Sequence, residues 1–411
     1  MPRESLDLDF VRRQFPPLGN GWAFFENAGG SYAPQSVIDR VRSYMTEAQV
    51  QPAWSFAPSA DATERIARGR RAVAELINAE PDEVIVGPST TMNVYVLAQA
   101  LRSAFAPGDE LIVTNLDHEA NNGAWRRLAE FGVTVKEWRI DPSNGALAEA
   151  DLDALLTDRT RLVCFTHCSN VVGTIHDVAH LTRKIHAAGA RVCVDGVAFA
   201  PHRQVDVKAL DVDFYTFSAY KVFGPHLGIL YGKREHLLSA RGQNHFFIGE
   251  DDIPLKLNPG GPNHELTAGL VGVADYFDAV YRHHFDAPEN SFHKRAGRVY
   301  ALMAAHEERL ADRLLDFLRG KPGLRLIGEP TMADGRRAPT ISFAVPGRSS
   351  QALQTALERE RIAVGYGNFY AHRCVEALGL DPEDGVLRVG MAHYNRLEEV
   401  DRLIEALDPL I

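Results

Sequence analysis

Three groups of residues, far apart in the chain, have types and positions that suit one joint chemistry. Lys221 closes the apolar, aromatic run DFYTFSAYK. Burial there disfavours the charged ammonium, the condition under which a lysine amine becomes a nucleophile able to form a Schiff base. Asp195 ends the run RVCV and is followed by Gly196. A carboxylate at the carboxyl end of a buried parallel strand points into the ligand crevice, and its desolvation calls for a cationic partner. The turn Gly87-Pro88-Ser89-Thr90-Thr91-Met92-Asn93 separates EVIVG from the helical stretch VYVLAQAL. Hydroxyls and free N–H groups at a helix N-terminus suit an anion such as a cofactor phosphate. Each group has a plainer reading: Ser and Thr are ordinary helix caps, and Asp195 with Lys221 makes a simple salt bridge. Taken together, an amine for an aldehyde, an acid for a pyridinium nitrogen and an anion cradle are the parts that pyridoxal 5'-phosphate (PLP) requires.

Holding these residues takes a sheet. Between about residues 60 and 235, short β-branched and aromatic runs alternate with helical patterns: 83–87, 110–115, 133–140, 161–167, 191–196, 213–221 and 227–233. This rhythm predicts a mainly parallel sheet covered by helices on both faces, its last two strands forming a hairpin. After about residue 280 come a long helix (RAGRVYALMAAHEERLADRLLDFLRG), the short strands LRLIG and APTISFAV, the helix SQALQTALERERI and a closing helix. In the closing helix Asn395 is the expected cap, Glu398 completes a capping box, and Leu397, Val400, Leu403, Ile404 and Leu407 form one apolar stripe. The expected organisation is a segment 1–35 packing across two domains, a large α/β domain 36–280 and a smaller α+β domain 281–411. The arginine cluster ERIARGRR reads as a solvated helix face.

The chain has 411 residues, 45% hydrophobic and 24% charged, enough for large cores and unlike a disordered or fibrous protein. With 54 acidic against 44 basic residues its formal charge is −10, which disfavours nucleic acid as a partner. No uncharged apolar run reaches the ~20 residues of a membrane helix, and the first residues lack the apolar core of a signal peptide. Four cysteines are too few for a disulfide scaffold and, with no leader, suggest a reducing cytoplasm. Cys164 and Cys168 lie on an expected strand, ~13 Å apart, too far to share a zinc ion, so no metal site is expected. Neither a Walker loop nor a GxGxxG fingerprint occurs, which leaves a dinucleotide-dependent oxidoreductase as the weaker alternative. A PLP-fold binding protein without catalysis is a second alternative, opposed by the presence of both Lys221 and Asp195.

Asp195-Gly196 followed by Pro201-His202, then Ser218-Ala219-Tyr220-Lys221 leading to GlyPro, resembles the class V aminotransferase superfamily, which contains cysteine desulfurases and selenocysteine lyases. Further matches run in order: FENAG at 25–29, the GPSTT turn, DHEAN at 117–121, SNVVGT at 169–174 and Arg388 before AHYN at 392–395. The resemblance implies fold type I, PLP as cofactor, an amino acid or amine as substrate, and a homodimer with sites at the subunit boundary. It implies Lys221 as the Schiff-base lysine, Asp195 as partner of the ring nitrogen, and His118 as the residue stacked on the ring that also passes protons. Thr90, Thr91, Ser218 and Tyr220 complete the cofactor contacts, Asn170 meets the ring oxygen or the substrate, and Arg388 clamps a substrate carboxylate.

Four departures shape the expected activity. The family's glutamine beside the ring oxygen is Ala198, the histidine before the lysine is Tyr220, and a threonine that reaches the partner's phosphate is Gly261. The sulfur-accepting cysteine of the desulfurases aligns with Tyr370, and a phenol cannot accept a persulfide. Cys374, four residues on, is no direct substitute. The expectation is therefore a PLP enzyme acting on an amino acid by transamination, or by β-elimination or epimerisation, and not a typical cysteine desulfurase. His264, Glu265, Asn368 and Tyr370 are candidates to line a pocket for a larger substrate.

Overall fold

Runs such as VIVG and FYTFS carry apolar residues at successive positions, so both faces of the strands they form must be covered. A computed structural model, which describes residues 5–286 and 288–411, places them in one sheet with every residue buried. The strands are β1 (Ala23–Phe24), β2 (Val84–Gly87), β3 (Glu110–Thr114), β4 (Thr134–Trp138), β5 (Thr160–Thr166), β6 (Arg191–Asp195), β7 (Phe214–Ser218) and β8 (Gly228–Gly232). In the C-terminal third follow β9 (Arg325–Ile327), β10 (Thr340–Ala344), β11 (Ile362–Ala363), β12 (Gly365–Gly367) and β13 (Val386–Gly390).

The large sheet has seven strands in the order β2-β8-β7-β6-β5-β3-β4. Only β8 runs against its neighbours, pairing antiparallel with both β2 and β7. Reversing direction twice leaves β2 parallel to β7, so the carboxyl ends of β2, β3, β5, β6 and β7 all lie along one edge. Alternate residues feed two cores, Val84, Val86 and Ile112 on one face and Ile85, Leu111 and Val113 on the other. This is the α/β, mostly parallel mixed sheet of fold type I, with the β7–β8 hairpin where it was expected.

A four-stranded antiparallel sheet, β12-β13-β10-β9, has its own core of Ile341, Phe343, Leu387 and Val389. The helix Phe292–Arg319 joins the two bodies: Val299, Tyr300 and Met303 enter the large core, and Leu310, Leu314 and Leu318 the small one. The N-terminal segment touches both. Its β1 pairs in parallel with β11, Asn27 Nδ2 donates to Gly390 O at 2.9 Å, and Ser31 Oγ donates to Tyr220 O at 3.0 Å.

Two expectations about the closing helix, Leu397–Leu407, are corrected. Its cap position is Arg396, whose N–H donates to Glu399 Oε2 at 3.0 Å, rather than Asn395 with Glu398. The Asn395 carboxamide is already committed: its oxygen accepts from Ala392 N at 2.9 Å and its nitrogen donates to Phe24 O at 2.9 Å, closing a turn against the N-terminal segment. Leu397 is exposed instead of joining the apolar stripe. In the arginine cluster, Arg65 and Arg71 pair on the surface, but Arg70 Nε is buried with no hydrogen-bond partner. Among the described residues no helix is long and apolar enough to cross a membrane, and no cluster of side chains suits a metal ion.

Candidate active site

The register of the large sheet assembles the site. Gly87, Gly228 and Ser218 stand opposite one another across β2, β8 and β7, which sets the GPSTT turn beside the end of β7. Gly228 is required at that crossing, since a Cβ there would come within 2.1 Å of Ser89 C. Ser89 caps the helix Thr90–Leu101 by accepting from Met92 N at 3.1 Å, and Thr90 Oγ1 lies 2.8 Å from Ser218 Oγ. Thr166, Asp195 and Thr216 stand opposite one another across β5, β6 and β7. Past the end of β7, Ala219–Lys221 make one turn of 3-10 helix. Ser31 holds that turn: Phe223, at φ +59°, donates its N–H to Ser31 Oγ at 3.1 Å.

One cavity is lined by eight residues singled out from sequence: Thr90, Thr91, His118, Asn170, Asp195, Ser218, Tyr220 and Lys221. Ser89, Ala120, Thr166, Cys168 and Val197 also line it. Thr166 was overlooked although it ends β5 as Asp195 ends β6, the same positional signal. Ala198 lies on the wall and offers only a methyl group. Tyr220 stacks on His226, ring centroids 4.5 Å apart.

Lys221 and Asp195 are both buried and make no ion pair with each other, which removes the salt-bridge reading. Among the described residues, the Lys221 amine has no hydrogen-bond or ion-pair partner. Burial, followed by the charge of Arg388, brings it from an ordinary 10.5 down to about 8, with Asp195 and Glu26 opposing. Burial raises Asp195 from 3.8 to about 6, restrained by the N–H of Val197 at 2.8 Å from Oδ1 and by Lys221. His118 Nδ1 accepts from Ala120 N at 3.0 Å, so the neutral ring carries its proton on Nε2. Burial, then Lys221 and Arg388, hold His118 down at about 4, and it is uncharged at neutral pH. Its neighbour Asp117 is pushed up to about 8 by burial and the charge of Asp195, while Thr114 and Asn121 bond its carboxyl. Protonated at neutral pH, Asp117 adds no second charge beside Asp195.

Arg388, on β13, is not on the cavity wall itself but stands behind it, bonded to the wall residue Asn170. Its Nη1 donates to Asn170 O at 3.1 Å, its Nη2 meets Glu26 Oε1 at 2.5 Å, and its guanidinium lies 3.5 Å from the centre of the Phe369 ring. Asn170 gives one N–H to Phe369 O at 3.0 Å, which leaves its second N–H and its Oδ1 without a partner among the described residues. Tyr370 arches over His118, ring centroids 5.4 Å apart, while its carbonyl accepts from Glu119 N at 2.8 Å. Asn368 turns inward to its own loop, accepting from Tyr370 N at 3.0 Å. His264 and Glu265 begin the helix His264–Gly269 and are absent from the cavity wall, because Asn263 caps that helix and bonds Glu265. Cys374 is fully buried among Leu116, Val171 and Leu378, and burial lifts its thiol to about 12.

These residues fit PLP. They offer an unpaired amine and an acid with one oxygen free of internal bonds, a set of hydroxyls at a helix N-terminus and an uncharged ring on the wall, all facing one volume.

The profile described as Aminotransferase class-V matches residues 23–403. The chain is 38% identical to the aminotransferase-like protein FGM3 of Gibberella zeae over 100% of both chains. It is 34% identical to the cysteine desulfurase-like protein ustD of Aspergillus flavus, covering 99% of this chain and 91% of that one. The crystal structure of the cysteine desulfurase CsdA from Escherichia coli superposes with a TM-score of 0.83 at 27% identity, over 98% of each chain. The chain belongs to the class V aminotransferase family and is a PLP-dependent enzyme of the cysteine desulfurase-like fold.

Proposed function

We propose that this enzyme acts on an α-amino acid held through its carboxylate, by transamination or by β-elimination or epimerisation, and that it is not a typical cysteine desulfurase. The observation that carries the reading is the buried, unpartnered amine of Lys221 sharing one cavity with the buried carboxylate of Asp195. When bound, PLP supplies a sink for the electrons left on the substrate's α-carbon when a bond to that carbon breaks. Lys221 would hold the cofactor's aldehyde carbon. With its pKa near 8, the amine is partly neutral in the working range and fit to take the α-proton once the substrate has displaced it. Asp195, anionic above about pH 6, would keep the proton on the ring nitrogen. His118 would present an uncharged ring face, and Thr90, Thr91 and Ser218 would hold the phosphate. Arg388 and Asn170 would orient the substrate carboxylate.

Two observations argue against desulfuration. Tyr370 occupies the loop above His118, and Cys374, the nearest thiol in sequence, is buried with its pKa near 12, leaving no exposed thiolate to attack sulfur. A homodimer in the cytoplasm belongs to the same proposal. It is supported by exposed aromatic side chains, Phe246 at 98% and Trp54 at 63%, and by four free, buried cysteines. Light scattering of the purified protein tests the dimer.

The decisive experiment is a screen of amino acids and amines against the yellow holoenzyme, with analysis of keto, epimeric and eliminated products. Borohydride is expected to fix the cofactor on Lys221. Colourless protein unaffected by PLP, or rapid sulfide release from cysteine that survives Cys374→Ala, overturns the proposal.

A further inference from the structure

Arg388 is the residue to which the proposed function assigns the substrate carboxylate, yet its guanidinium is already engaged. A guanidinium grips a carboxylate with two parallel bonds along one of two edges, Nη1 with Nη2 or Nε with Nη2, so Nη2 belongs to both. In this chain Nη2 is taken by the carboxylate of Glu26 at 2.5 Å and Nη1 by Asn170 O at 3.1 Å. Nε is buried with no partner, and the Phe369 ring covers one face of the group. Each Nη keeps a second N–H, but Glu26 Oε1 stands against Nη2, the atom both edges share, so a substrate carboxylate taking either edge meets the negative charge of Glu26 unless that side chain withdraws.

Glu26 is placed so that it can. The Arg388 side chain is 3% exposed but that of Glu26 is 30% exposed, so the acid is nearer to solvent than the base it pairs with. Two glycines leave it room: a Cβ at Gly29 would come 1.8 Å from Glu26 Oε2, and one at Gly365 would come 2.7 Å from Oε1. Glu26 also lies close enough to Lys221 for its charge to favour the protonated amine. Its backbone bridges Gly390 at the end of β13, two residues beyond Arg388, so acid and arginine are carried on paired backbone.

We propose that Glu26 is a resident carboxylate that occupies the fork of Arg388 in the absence of substrate and is displaced by the substrate's own carboxylate. It neutralises a buried guanidinium that would otherwise stand unpaired, and it sets a threshold for entry: an anion with one oxygen cannot replace it, whereas a carboxylate that also satisfies Nε gains a bond Glu26 does not make. Glu26 acts through Arg388 and is a positioning residue that tunes substrate affinity. This inference rests on the assignment of Arg388 as the carboxylate site.

The test uses the PLP-loaded enzyme and propionate, a carboxylate without an amine, with binding followed by titration calorimetry and by the cofactor's absorbance. In Glu26→Gln the competing charge is gone, and propionate is expected to bind at least threefold and up to about tenfold more tightly, tenfold being about 1.4 kcal/mol. Glu26→Asp, one methylene shorter, is expected to tighten binding in the same direction and serves where Glu26→Gln fails to fold. Affinity that is unchanged or weaker in the variants overturns the proposal, because it makes Glu26 a support for Arg388 and not its competitor. Arg388→Lys separates the two layers: it is expected to abolish propionate binding, and if binding persists there, the assignment of Arg388 fails independently of Glu26.

Discussion

Replacing Lys221 by methionine is expected to stabilise the cofactor-free protein near neutral pH while removing the amine to which the proposed chemistry is assigned. The magnitude follows from the Lys221 amine, which burial and Arg388 bring from 10.5 to about 8 against the opposing pull of Asp195 and Glu26. A depression of that size corresponds to about 3 kcal/mol of penalty on the charged form. Below about pH 8 the amine is charged in both folded and unfolded chains, and folding bears the whole penalty. From about pH 8 to 10.5 the unfolded chain keeps a proton that the folded chain has lost, so stability rises with pH; above that window the penalty is gone. Methionine has a similar length, no charge and no such dependence. The stability advantage of Lys221→Met should therefore be largest near pH 7 and shrink by about 3 kcal/mol across the window. Urea unfolding of both proteins, stripped of PLP, at several pH values measures this directly. Curves that stay parallel at every pH, or a variant less stable than the parent near neutrality, would refute the view that Lys221 is held as a strained, unpartnered amine.

Other parts of the site make separate predictions. Thr90→Val removes the hydroxyl bonded to Ser218 and is expected to weaken PLP binding about 10- to 100-fold, the worth of one hydrogen bond to a charged group; affinity within twofold of the parent moves the phosphate cradle elsewhere. Cys374→Ala is expected to leave turnover unchanged and to cost on the order of 1 kcal/mol in thermal unfolding, since the thiol only fills core space. A loss of turnover in Cys374→Ala would give that thiol a catalytic role. Phe369 and Tyr370 sit at φ +51° and +59°, conformations costly for residues with side chains, and Asn368 holds them by accepting from Tyr370 N and donating to Pro382 O. In Asn368→Ala, amide exchange at Glu119, whose N–H bonds Tyr370 O, is expected to speed up; unchanged exchange means that the loop holds its shape without that side chain.

How far the architecture could be read in advance depended on burial. The strands of the large sheet were legible because strands buried on both faces need unbroken apolar runs, and VIVG, ELIVT and FYTFS are such runs. β13, VLRVG, was missed although all five residues are buried, because the arginine in its middle breaks the apolar pattern. That arginine is affordable inside only with Glu26 and Asn170 around it, and neither is near it in the chain. The helix cap at Arg396 was misplaced for a similar reason: Asn395 has the right side chain for a cap, but Phe24 and Ala392 had already claimed it.

Residue order alone suggested the joint chemistry proposed for Lys221, Asp195 and the GPSTT turn, since an amine, an acid and an anion cradle at strand ends constrain what they can hold whatever surrounds them. Through the family resemblance it also set a phenol, Tyr370, at the position where a desulfurase's sulfur-accepting cysteine is expected. Tertiary structure decided whether those groups were free to act: Lys221 unpartnered, Asp117 and His118 uncharged, Cys374 sealed in a core, Arg388 already gripped by Glu26, 362 residues away. The reason is physical. Proton affinity and hydrogen-bond availability are set by desolvation and by charges within a few ångströms, and those neighbours come from parts of the chain that only folding brings together.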